Sequence, residues 1–254
     1  MTPRTRLFAA TFAGGALLLS LFLAAVAPVA ATSSSDVSSS DPCTAARATW
    51  QAGQTVADGI ALGGCMIADR LTYLSKASGR LPSVSALSDA DRSALESILS
   101  GDTTGLTTLK GTLDGETTLA GVKSDLVAIV KDYRVYLLAA RQVALVVGSD
   151  VVTAAGPKFA TVNTKLEARI AAAAAKGTGT TAASAALAAM NTAVTAATGD
   201  VAGLPAGLLA LTPSEYNDGT AEPVLTAART ALGQARTQLI SARADARAAL
   251  ADLR

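Results

Sequence analysis

Residues 119–152 read LAGVKSDLVAIVKDYRVYLLAARQVALVVGSDVV and hold two of the four tyrosines of the chain. Leu119, Val122, Leu126, Ile129, Tyr133, Tyr136, Ala140, Val143 and Val147 step by three and four. That spacing gathers side chains on one stripe of an α-helix. Lys131, Asp132, Arg134 and Arg141 lie inside the same stretch. Each would cost about 2.5–3.5 kcal/mol at a bilayer centre. The pattern therefore predicts one buried core helix with a charged outer strip, not a membrane span.

The stretches on either side carry the same period. Downstream, Gly156-Pro157 either kinks this helix or separates it from the next. Phe159, Val162, Leu166 and Ile170 continue the apolar face, and Lys176-Gly177-Thr178-Gly179 stops it. Leu187, Met190, Val194, Ala197 and Val201 mark another helix, capped by Thr180 or Thr181, with Gly199, Gly203, Pro205 and Gly207 loosening its second half. After the polar turn TPSEYNDG (212–219), Thr220 is positioned to cap a last helix. Leu225, Ala228, Leu232, Ala235, Leu239, Ala242, Ala246, Ala249 and Leu253 form its heptad seam. Upstream, residues 43–78 predict a helix with a seam at Trp50, Gly53, Ala57, Ile60, Gly64, Ile67, Leu71 and Leu74. Gly59 and Gly63 add a GxxxG spacing suited to close helix contact. Ser88-Asp89-Ala90-Asp91 reads as a capped start. It predicts a short helix ending at Gly101, then a second one over 103–113.

Composition agrees with these periods. Half of the 254 residues are hydrophobic but only 4% are aromatic. Alanine, the strongest helix former, makes up roughly a fifth of the chain. Period-two runs of β-branched residues are almost absent. The expectation is an all-α fold, an elongated antiparallel bundle of long Ala-rich helices over 43–254.

Residues 1–31 carry Arg4 and Arg6, then an apolar run, then small residues. This is the pattern of a secretory signal peptide, with cleavage expected after Ala31. The run is also long enough to remain as an uncleaved anchor. The Ser-rich tract 32–42 reads as a linker. Without Arg4 and Arg6, two of the 21 basic residues, 19 remain against 20 acidic ones, a net of −1. A nucleic-acid partner is not expected from such a balance. The expected location is secreted or extracytoplasmic.

The chain contains no histidine, which removes the Ser-His-Asp triad and the commonest metal ligand. No P-loop, G-x-S-x-G, H-E-x-x-H, EF-hand or C-x-x-C spelling occurs. No catalytic, cofactor-binding or metal-binding residue is predicted, and no cofactor. Cys43 and Cys65 are the only cysteines. In an exported chain they would pair, but one straight helix between them would hold them about 33 Å apart. A disulfide thus requires a bend near Gly53 or Gly59. Arg229, Arg236 and Arg243 recur every seven residues, with Arg247 nearby. They read either as a basic surface patch for an anionic surface or, as favoured here, as heptad-flanking partners of carboxylates on a neighbouring helix. Asp132, Tyr133, Arg134 and Tyr136 form the densest polar-aromatic group, read as the edge of the core.

The phrase Lys131-Asp132-Tyr133-Arg134-Val135-Tyr136-Leu137, followed by Gly148-Ser149-Asp150, resembles a pattern in uncharacterised secreted bacterial helical proteins. The likeness extends loosely over 85–254 and includes Leu211-Thr212-Pro213. Those relatives often carry proline where this chain has Arg141 or Gln142. The resemblance implies an exported helical domain and no activity. The expected role is non-enzymatic: a structural or protein-interaction module of the cell envelope or extracellular space. The alternative is amphipathic-helix binding to a lipid or membrane surface. The partner, a protein or other envelope component, and the oligomeric state are not specified by these residues.

Overall fold

The structure is a computed structural model that describes residues 41–253. The expected signal segment and nearly all of the Ser-rich tract lie outside these residues. The helices are α1 (Thr44–Gly53), α2 (Val56–Arg80), α3 (Asp89–Asp114), α4 (Leu119–Lys131), α5 (Ala140–Ala174), α6 (Thr181–Val201), α7 (Leu204–Leu209), α8 (Pro213–Asn217) and α9 (Ala221–Ala251). No strand occurs among the described residues, so the fold is all-α.

α1 and α2 form where one helix is expected. Gln54 turns the chain in the left-handed region (φ 46°), and Thr55 restarts it by accepting a hydrogen bond from the Asp58 amide at 3.2 Å. Asp58 returns the bond to the Thr55 amide, a reciprocal capping box. The restart moves the buried face of α2 to Gly59, Leu62, Gly63, Ile67 and Leu74. Ala57, expected in the seam, is exposed. A Cβ on Gly59 would meet Val122 and the Trp50 ring, and one on Gly63 would meet Leu113. The two glycines therefore let α1, α3 and α4 approach α2 closely.

α3 continues through Gly101 and Gly105, where a stop and a second helix are expected. Leu95, Leu99, Leu106 and Leu113 are all buried on its inner face. Their burial, at about 1.5–3 kcal/mol each, outweighs the roughly 1 kcal/mol that a mid-helix glycine costs.

The stretch 119–152 also differs from the expected single helix. α4 ends at Lys131, and Arg134 (ψ 44°) leaves helical geometry. A π-turn over Val135–Ala139 then leads into α5. Asn217 of α8 holds the break: its amide donates to the Lys131 carbonyl (2.9 Å), and its Oδ1 accepts from the Arg134 guanidinium (2.8 and 2.5 Å). The interruption resets the stripe. Beyond it, as far as Val152, the buried residues are Val135, Leu138, Ala139, Gln142, Leu145, Val146, Gly148, Ser149, Asp150 and Val152. Tyr136, expected within the stripe, is exposed. Pro157 sits inside α5 without ending it.

α6 and α9 make the most extensive helix pair. Alanine supplies much of their buried surface: Ala183 and Ala197 in α6, and Ala228, Ala235, Ala242 and Ala246 in α9. Every residue of the expected α9 seam from Leu225 to Ala249 is buried. Neither the hydroxyl of Thr180 nor that of Thr220 caps the helix after it. Thr220 instead donates to Asp218 Oδ1 at 2.7 Å. Asn191 donates to Asn163 at 2.7 Å, and Gly156 faces Thr198. α5 and α6 are therefore antiparallel. Arg141 meets Glu222, and Gly148 meets Leu232, so α5 and α9 run in the same direction. The end of α5, the start of α6 and the end of α9 thus lie together.

Candidate functional site

The strongest candidate is one flank of α9. Arg229, Arg236 and Arg243 each follow a buried alanine of the seam, namely Ala228, Ala235 and Ala242. Ile240 and Arg247 lie four residues beyond Arg236 and Arg243, which puts them on the same flank. Asp245 and Asp252 precede the seam residues Ala246 and Leu253 and fall on the opposite flank. Arg229, Arg236 and Arg247 are exposed and Arg243 is half-buried. Ile240 stands 71% exposed among them.

The favoured expectation of interhelical ion pairs for these arginines is not met. The ion pairs among the described residues are Arg47–Asp41, Lys110–Asp114 and Arg141–Glu222. The composition of α6 explains the difference, because Asp200 is its only charged residue and sits at its last turn. The arginines have little to pair with along their own neighbour. Residues 156–199 and 236–253 together carry seven Lys and Arg against three Asp and Glu. One end of the α5–α6–α9 unit is therefore basic in a protein of near-zero net charge.

Cys43 and Cys65 are joined by a disulfide, with Cα atoms 5.7 Å apart. The turn at 53–55 makes this closure possible by folding α1 back along α2. Asp41 Oδ1 accepts from the Cys43 amide at 2.9 Å, and Cys43 is buried.

The polar-aromatic group does not converge. Tyr133 packs on Gly105. Arg134 stacks over the Tyr216 ring at 5.3 Å and bonds Asn217. Tyr136 donates to Asp69 Oδ2 at 2.6 Å, lies edge-on to Tyr73, and has Arg70 5.5 Å from its ring. Each ties the central break to a different helix, and burial together with the Asp69 hydrogen bond raises the Tyr136 pKa. These are fastening contacts.

A cleft of about 300 Å³ opens between α3, the π-turn and the α7–α8 loop. Ile98, Leu138, Leu209 and Leu211 give it an apolar lining, with Asp102 in one wall and Arg134 at another. Gln142, 1% exposed, closes the floor by donating to the Leu208 and Leu211 carbonyls at 2.8 and 3.0 Å. Burial alone pushes the Asp102 carboxyl up to about 6; no donor or basic group sits close enough to counter it. Asp102 is not singled out by the sequence. It sits among Gly and Thr, and it is half-buried where the π-turn and the α7–α8 segment come together beside α3.

No group of three or more His, Cys, Asp or Glu suited to hold a metal ion occurs among the described residues. No family model, no curated protein and no solved structure matches this chain.

Proposed function

We propose that this protein is a non-catalytic helical interaction module of the cell envelope or extracellular space, and that it contacts an anionic partner through the α9 flank. The observation that carries this reading is the row Arg229, Arg236, Arg243 and Arg247, none of which forms an ion pair among the described residues. An arginine held without an internal partner keeps its guanidinium free for an external one. The signal-like segment 1–31 and the Cys43–Cys65 disulfide favour export, since disulfides persist in oxidising compartments. The missing histidine and motifs support a role without catalysis.

A second reading is direct binding to an anionic lipid surface. Exposed Ile240 between Arg236 and Arg243 favours it, because an apolar side chain amid cations is what an interfacial helix inserts. Surface binding to producing cells tests the shared claim. Arg236→Glu/Arg243→Glu should reduce binding at least tenfold without lowering the Tm. Unchanged binding would refute it. Flotation with vesicles containing phosphatidylglycerol separates the readings: salt-sensitive flotation selects the lipid surface, and retention of cell binding without flotation selects a protein or polymer.

A further inference from the structure

A carboxylate that a fold half-buries without a partner costs stability, and among the described residues no donor or cation offsets the burial of Asp102. Its cleft shares no residue with the α9 flank. The walls contributed by Ile98, Leu138, Leu209 and Leu211 are apolar. Gly101, beside Asp102, has open space where a Cβ would stand, so the mouth is unobstructed. Arg134, the one cation in the lining, has its Nε and Nη2 engaged by Asn217 and its plane stacked on Tyr216. It is held to the α8 side and leaves Asp102 without a positive neighbour.

We propose that this cleft binds a small primary amine, with its ammonium group on the Asp102 carboxylate and a compact apolar body against Ile98, Leu138, Leu209 and Leu211. The ammonium supplies the charge the site lacks. The volume of about 300 Å³ suits a ligand of roughly ten heavy atoms, at the small end of ligand pockets. A neutral ligand of the same shape gains the apolar contacts but leaves the carboxylate uncompensated, which sets the selectivity. Binding should weaken as pH falls through about 6, where free Asp102 takes up a proton.

Benzylamine is a suitable probe and benzyl alcohol its uncharged counterpart. Both are titrated into the full chain and followed by amide NMR shifts at Gly101, Ala139 and Leu211. The expected result is saturable shifts with benzylamine at pH 7.5, at least tenfold weaker with benzyl alcohol and with Asp102→Asn. Gly101→Phe, which fills the mouth without removing the charge, should also abolish binding. Equal affinity for the two probes overturns the proposal, as does undiminished benzylamine binding by Asp102→Asn. A folded variant spectrum confirms that either result is a property of the site.

Discussion

Asp102 and Gln142 show how differently the fold treats two polar side chains in one region. Gln142 is buried in α5, yet its amide satisfies two carbonyls at the end of α7, so its burial is compensated. Asp102 has no such compensation, and its carboxyl rises to about 6 through burial alone. The sign of the consequence follows. A carboxyl with a raised pKa binds its proton more tightly in the folded state than in the unfolded chain, where the value is near 3.8. The native state thus gains stability from this group as pH falls from 7 towards 4. Asp102→Asn should stabilise the protein at pH 7 by about 1 kcal/mol, discounted for partial exposure. That corresponds to a Tm about 3 °C higher. The difference should vanish near pH 4. Thermal melts of both proteins across this range check it, and a variant less stable at pH 7 would contradict it.

At the scale of elements, glycine has opposite roles at neighbouring positions of α2. Gly59 faces Val122 and Trp50, with no room for a methyl group, whereas Gly64 faces open space. Gly59→Ala should destabilise by about 1–3 kcal/mol through overpacking and shift the Trp50 fluorescence. Gly64→Ala should be neutral or stabilise by up to about 1 kcal/mol. Denaturant unfolding distinguishes them, and equal effects would mean that the α1–α2–α4 contact is wrongly placed. The disulfide fastens the same contact. Closing a loop of sequence separation 22 contributes about 3 kcal/mol by the chain-entropy argument. Cys43→Ser/Cys65→Ser should lose about that much and release α1 first, seen as hydrogen exchange rising in 44–53 before the rest. Uniform exchange would show that α1 is not separately held.

Over the whole molecule, the all-α class and most helix positions are legible in the sequence because period, alanine content and turn residues agree. The α9 seam is buried as expected from Leu225 to Ala249, since no break interrupts it, and only Leu253 falls beyond the helix end. Three features are not legible. The break at Asp132–Arg134 depends on Asn217, more than eighty residues away, so local periodicity runs straight through it. The continuity of α3 through Gly101 and Gly105 comes from burial of Leu95, Leu99, Leu106 and Leu113, which overrides glycine's local preference. The unpaired state of the α9 arginines depends on which helices lie beside them, and α6, the one most extensively packed on α9, is nearly uncharged. Of the candidate site, the residues of the flank are visible in advance, but their lack of carboxylate partners and the exposure of Ile240 require the fold. The cleft with Asp102 is invisible until the π-turn and the α7–α8 segment meet beside α3.

The proposed contact face is tested most directly by a photo-crosslinking amino acid at position 240, in the centre of the α9 flank, irradiated in producing cells. The predicted result is a discrete adduct to one envelope component. It should be lost with Arg236→Glu/Arg243→Glu and absent when the crosslinker is moved to exposed Val127 on α4. No adduct at position 240, or one that survives the charge reversal, would contradict the assignment of this flank as the working face of the protein.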